Sequence, residues 1–170
     1  MFYYSELDLT RFMQECVKLA IESPRNVSRP LVGAVVVRDG KIVGMGNKRY
    51  DPTLNLELHA EFVALSEAGT DRTKGALLVT TLEPCCPSRG YGARIRHTRV
   101  RSCCEQILEN GIEEVVYGIL DRSPTINGAR GIHFLSEHGV KITNLTDLIP
   151  SKALMYKGHG STRLWHTDKF

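Results

Sequence analysis

Apolar residues recur along the chain with two different periods. Leu9, Phe12, Met13, Cys16, Val17, Ala20 and Ile21 follow one another at steps of three and four, the stripe of one helix face. Ser5 or Asp8 can cap that helix, and Pro24 stands just past its end. Residues 24–30, with a proline at either end, read as a loop. Residues 31–37 are an apolar, β-branched run, Arg38-Asp39-Gly40 carries the Asp-Gly hairpin signal, and residues 41–47 read as the returning strand. Residues 48–56 are polar around Pro52 and are expected to form a loop that delivers the chain to His59. Helical spacing resumes at His59, Phe62, Val63, Leu65 and Ser66 and stops near Gly69.

Downstream the pattern predicts a strand over 76–81, a loop, and a helix from about 101 to 110 stopped by Gly111. A strand over 114–119, a helix over 128–138 closed by Gly139 and a strand over 140–143 complete it. A helix and two strands followed by alternating helices and strands make an α/β fold. We expect three layers, α/β/α, around a five-stranded mixed sheet, in a single domain over 1–145. The tail, 146–170, can open as a short helix and ends polar and aromatic with Tyr156, Trp165 and Phe170; no structure is assigned to it.

Composition narrows the class. At 170 residues with 42% hydrophobic and 24% charged positions, the chain reads as a soluble globular domain. It holds no apolar run approaching the roughly 20 residues of a membrane span and no basic-then-apolar signal segment, so a cytoplasmic protein is expected. Cysteines stand at 16, 85, 86, 103 and 104. Adjacent cysteines bridge each other poorly, and a reducing compartment favours metal ligation over a disulfide framework. The formal charge of +3 is concentrated: residues 86–102 contain Arg89, Arg94, Arg96, Arg99 and Arg101 and no acid, and without those five the chain sums to −2.

The candidate chemistry lies in His59-Ala60-Glu61, Thr81-Leu82-Glu83-Pro84-Cys85 and Cys103-Cys104. Taken singly, these residues read as a buried histidine, a surface glutamate and core thiols. Together, one imidazole and two thiols supply three zinc ligands and leave the fourth position open, which marks a catalytic ion. Such an ion makes water nucleophilic near neutral pH, and Glu61, two residues from a ligand, can take the proton and pass it to a departing amine. H-x-E with P-C and a further cysteine is the signature of the zinc-dependent base deaminases. Here 17 residues separate Cys85 from Cys103, where the short form of the signature has two. Cys103 shares a helix face with Ile107 and Asn110, and Cys104 with Leu108 and Gly111, so periodicity does not choose between them. Cys86 is a further candidate, although its side chain should point away from that of Cys85.

The chain resembles the cytidine deaminase superfamily and, within it, the diaminohydroxyphosphoribosylaminopyrimidine deaminases of riboflavin biosynthesis. The likeness runs from about Phe12 to Ile142 through residues 30–37, His59-Ala60-Glu61, residues 81–85 and 103–108 with Gly111. It continues through residues 118–124 and 128–132, Leu135 and Gly139-Val140. It implies zinc held by His59, Cys85 and Cys103, the last because the family's ligand stands eight residues before the glycine that ends the helix, as Cys103 does before Gly111. It implies that the backbone around Leu82 and Glu83 accepts hydrogen bonds from the leaving amine. Arg29 stands where that family usually has asparagine, and the usual histidine after the second strand is replaced by Gly46-Asn47-Lys48-Arg49. Asn47 resembles the base- and ribose-contacting asparagine of tRNA adenosine and dCMP deaminases.

The arginine loop lies between two zinc ligands and so borders the pocket mouth. Arg89, Arg94 and Arg96 suit a phosphate, which guanidinium groups bind through paired charge-assisted hydrogen bonds. An RNA backbone would also suit, with Tyr91 or Trp165 stacking on a base, but Tyr91 alone is interleaved with the arginines. A solvated loop or a subunit contact is the plain alternative. His97 could be a further metal ligand or a pocket residue but reads first as an exposed loop histidine. His133 and His138 read as surface or half-buried, His159 and His166 carry no interpretable spacing, and Asp121 reads as a cap or turn residue. The expected activity is hydrolytic removal of an exocyclic amine from a phosphorylated ribosylaminopyrimidine by a homo-oligomer. A deaminase of nucleosides, nucleotides or RNA bases is the first alternative, and a non-catalytic zinc-stabilised binding module the second.

Overall fold

The computed structural model describes residues 4–28, 30–86, 101–121 and 130–145, and the backbone of 156–158 and 161–163. Helix α1 (Glu6–Ile21) opens on Ser5, whose hydroxyl accepts the Asp8 N–H at 3.2 Å while the Asp8 carboxylate accepts the Ser5 N–H. Of the two candidate caps, Ser5 is therefore the cap and Asp8 its reciprocal partner. The helix buries Phe12, Met13, Cys16, Val17 and Ala20, leaving Leu9 half-buried and Ile21, its last residue, exposed.

Strands β1 (Gly33–Arg38) and β2 (Lys41–Asn47) form the expected hairpin, turning at Asp39 and Gly40 with φ of 51° and 75°. The loop expected over 48–56 is instead a second hairpin, β3 (Arg49–Asp51) and β4 (Leu56–Leu58). Its turn is built by Asp51, whose carboxylate accepts the N–H groups of Thr53 and Leu54 at 2.8 and 3.0 Å, and by Asn55 at φ 51°. Pro52 lies in that turn, where its missing N–H costs no strand pairing.

Helix α2 (Ala60–Ala68) is followed by a single unexpected turn of helix, α3 (Thr70–Thr73), and by β5 (Leu77–Leu82). Then come α4 (Cys103–Glu109), β6 (Glu114–Ile119), α5 (Arg130–Glu137) and β7 (Lys141–Asn144). Residues 128 and 129, expected to begin α5, and the expected short helix at the start of the tail lie outside the described residues. In the tail, β8 (Tyr156–Gly158) pairs antiparallel with β9 (Ser161–Arg163).

The five-stranded sheet runs β2-β1-β5-β6-β7. The first three strands are antiparallel and the last three parallel, the mixed sheet the sequence predicts. Alternation along β1 separates the two outer layers. Val35 and Val37 pack in one cluster with Phe12 and Met13 of α1 and with Leu77, Val79 and Val116 of the neighbouring strands β5 and β6. Ala34 and Val36 face Ala60, Ala64, Ile107 and Leu135 of α2, α4 and α5. Full burial of each such valine or leucine contributes about 1.5–3 kcal/mol. Helix α2 rests directly on β2: a Cβ at Gly44 would stand 2.2 Å from the Ala64 carbonyl oxygen, and one at Gly46 2.2 Å from that of Ala60. Only glycine permits this approach, and it fixes the first turn of α2 against the sheet.

Among the described residues no helix is long and apolar enough to cross a membrane.

Candidate active site

Three element ends meet at one point. His59 occupies the N-cap position of α2, Cys85 lies three residues past β5, and Cys103 begins α4. Ser102, itself extended in backbone, makes a reciprocal cap with Glu105, which starts α4 at Cys103 and aims its first N–H groups at the site.

The His59 Nδ1 atom lies 3.2 Å from the Cys103 sulfur and 3.6 Å from the Cys85 sulfur, and the three donor atoms all lie within 4.8 Å of one another. A tetrahedral zinc bound by nitrogen at ~2.0 Å and sulfur at ~2.3 Å separates those donors by about 3.6 Å. One nitrogen, two sulfurs and these spacings therefore fit a zinc ion. His59 is exposed, Cys85 half-buried and Cys103 buried, so the cluster opens on the His59 side.

Cys85 is the more acidic thiol of the pair. A hydrogen bond from Cys103 and the neighbouring His59 ring hold it well below the ordinary cysteine range, and the Cys103 N–H donates to its sulfur at 3.3 Å. The same shared proton, with burial, pushes Cys103 up. The hydrogen bond with Cys85 outweighs burial and raises His59. A cation binding here would displace these protons. Glu61, in the first turn of α2, is 3% exposed. Burial raises its carboxyl above the usual range, opposed by the charge of His59 and a hydrogen bond from Cys103. The site thus holds a buried carboxyl that carries a proton more readily than an exposed one.

Cys104 takes a different direction from Cys103. Its thiol lies 3.6 Å from the Pro84 carbonyl oxygen and 3.5 Å from that of Gly131. Cys86 is half-buried, its thiol pushed up by burial and by Cys85. Asn47 ends β2 opposite Gly33, half-buried, with Lys48 next to it. Leu82 ends β5 half-buried, and Glu83 is buried with its carboxylate on the start of α5. Arg89, Arg94 and Arg96, with Tyr91, His97 and Trp165, lie outside the described residues.

One supporting cluster escaped the sequence reading. The buried Lys48 ammonium donates to the Ser28 hydroxyl at 2.7 Å and the Ser28 carbonyl at 3.2 Å, and pairs with Glu57 at 3.2 Å. Glu57 in turn accepts the Ser28 hydroxyl at 2.6 Å. This clasp ties the β3–β4 hairpin, which leads into His59, to the loop after α1. A lysine and a glutamate nine residues apart announce nothing until the intervening hairpin brings them face to face.

The family model for the cytidine and deoxycytidylate deaminase zinc-binding region matches residues 7–119. The riboflavin biosynthesis protein RibD of Aquifex aeolicus is 40% identical over 115 residues, covering 66% of this chain and 28% of that protein. The diaminohydroxyphosphoribosylamino-pyrimidine deaminase of Buchnera aphidicola is 34% identical over 133 residues, covering 77% of this chain and 80% of its own. Among solved structures, RibD of Acinetobacter baumannii superposes with a TM-score of 0.65 at 27% identity, over 85% of this chain and 38% of that one. The chain thus spans less than a third of the Aquifex protein.

Proposed function

The chain belongs to the cytidine and deoxycytidylate deaminase family, and from that premise we propose that it hydrolyses the exocyclic amine from a phosphorylated ribosylaminopyrimidine. The observation that carries the reading is the convergence of His59, Cys85 and Cys103 beside a buried carboxyl at Glu61. The substrate class is supported by the likeness to the Buchnera deaminase over most of both chains. Residues 1–145 are the proposed deaminase domain.

His59 Nδ1 and the sulfurs of Cys85 and Cys103 would hold zinc, which supplies the Lewis acidity that makes water nucleophilic near neutral pH. The chain's own residues handle the protons. Glu61 accepts one from the attacking water at its carboxylate and returns it to the amine nitrogen. The C–O bond forms, the C–N bond breaks, and both water protons end on the ring product or the departing ammonia. Burial raises the Glu61 carboxyl, so its carboxylate is a stronger base toward the attacking water than an exposed one would be. Leu82 and Glu83 would present backbone to the amine, Asn47 would contact base or ribose, and Arg89, Arg94 and Arg96 would bind the phosphate. A homo-oligomer is the proposed assembly, checked by light scattering.

The test is ammonia release by zinc-loaded protein from the riboflavin-pathway pyrimidine phosphate, cytidine, dCMP, guanine and adenosine species, and total tRNA. Turnover of the pyrimidine phosphate alone supports the proposal. Turnover of nucleotides or tRNA instead replaces its substrate, and no turnover by fully zinc-loaded protein favours a non-catalytic module.

A further inference from the structure

Glu83 is an acid buried to 3% exposure, two residues before Cys85. Its own N–H donates to the Ile119 carbonyl at 2.8 Å, continuing the pairing of β5 with β6. Its carboxylate accepts the N–H groups of Gly131 at 2.9 Å and Ile132 at 3.3 Å, both in the first turn of α5, and that of Asp121 at 3.1 Å. A carboxylate is the group a helix start holds most strongly, because the free N–H groups and the helix dipole both favour negative charge.

The helix so held presses on the turn that carries Cys85. A Cβ at Gly131 would stand 2.0 Å from the Pro84 carbonyl oxygen, so α5 touches the backbone there. From the other side the Cys104 N–H donates to the Cys85 carbonyl at 3.1 Å, and the Cys104 thiol bridges Pro84 and Gly131. Pro84 adds a fixed φ of its own. The Pro84–Cys85 segment is thereby held between α4 and α5, with Glu83 as the anchor of the α5 side.

We propose that Glu83 is a positioning residue for Cys85: its carboxylate docks α5 against the Pro84 carbonyl and so sets where the Cys85 sulfur stands. This rests on reading His59, Cys85 and Cys103 as the zinc site. The side chain acts through backbone rather than on substrate. Glutamine at this position keeps the shape but replaces one acceptor oxygen with an NH2 group facing a backbone N–H.

The experiment compares zinc-loaded wild type with Glu83→Gln, Gly131→Ala and, as a remote cap control, Ser5→Ala. Zinc transfer to a colorimetric chelator is followed beside the melting temperature and the kcat and KM of ammonia release. Glu83→Gln and Gly131→Ala should release zinc about tenfold faster or more, the usual cost of disturbing a ligand's support, with kcat lowered more than KM is raised. Ser5→Ala should melt earlier yet release zinc at the wild-type rate. Lower melting of Glu83→Gln with wild-type zinc release and kcat would reduce Glu83 to a helix cap and overturn the proposal. If Glu83→Gln does not fold, wild-type zinc retention by folded Gly131→Ala overturns it equally. Faster zinc release in a protein whose wild type deaminates nothing sustains the positioning role while the deaminase reading fails.

Discussion

The backbone N–H of Cys103 donates to the sulfur of Cys85 at 3.3 Å. The first free donor of α4 thus stabilises negative charge on a thiol that belongs to a different segment, 18 positions earlier. Removing the metal should expose the consequence. In chelator-treated protein, iodoacetamide should alkylate Cys85 well before Cys16 or Cys104, whose thiols burial pushes far up. Restored zinc should abolish the difference. Peptide mass spectrometry over a time course reads both, and equal labelling of all three would contradict this assignment of the thiolate.

Glu61→Gln keeps the shape of the buried side chain and removes its capacity to carry a proton. Ammonia release should fall by about 10²–10⁴-fold. Zinc content, measured by atomic absorption, should stay at the wild-type ratio, because the variant leaves the three donors untouched. A variant that loses zinc in parallel with activity would make Glu61 a ligand instead.

Gly46→Ala places a methyl where only 2.2 Å separates it from the Ala60 carbonyl oxygen. Overpacking of this kind costs about 1–3 kcal/mol, a fall of roughly 2–4 °C in Tm per kcal/mol for a chain of this size. Because Ala60 lies between His59 and Glu61, activity should fall further than stability does. Calorimetry beside kinetics separates the two, and an unchanged Tm would show that α2 can retreat.

The Lys48–Ser28–Glu57 clasp should be sensitive to acid. Burial raises the Glu57 carboxyl, but the hydrogen bonds from Ser28 and the Lys48 charge outweigh it and hold Glu57 below its ordinary value of 4.5. A depressed carboxylate stabilises the fold fully above its unfolded pKa and loses that contribution as pH falls through the folded one. Wild type should therefore lose an increment of Tm on acidification below about pH 4.5 that Glu57→Gln, already without it, does not lose. Parallel Tm–pH curves for the two proteins would remove Glu57 from the account.

What could be read from the chain depended on how local its cause was. The stripe of α1 and the Asp39-Gly40 turn act within a few residues, and both stand where the spacing puts them. The β3–β4 hairpin did not show, because its signal is the Asp51 side chain folding back on Thr53 and Leu54, and Pro52 masks it as a loop. For the site, His59-Ala60-Glu61 and Pro84-Cys85 were conspicuous as residue types. Periodicity could not separate Cys103 from Cys104, since both sit in the first turn of α4 and only the packing of α2 and α5 around them distinguishes their directions. The direction of the Glu83 carboxylate was equally hidden, because its partners on α5 lie 48 and 49 positions away.

Discontinuity of the donors also governs when the site can exist. His59 and Cys103 are 44 positions apart and Cys85 lies 26 from His59, so no short segment can bind the ion as a three-donor set. Closing such loops is slow and is rewarded only once the sheet has joined β1 to β5 and β5 to β6. Zinc held by these three residues would then be a latch on the finished molecule rather than a template for making it. It would lengthen the lifetime of the native state in proportion to its free concentration once that exceeds the dissociation constant, and leave the refolding rate where it was.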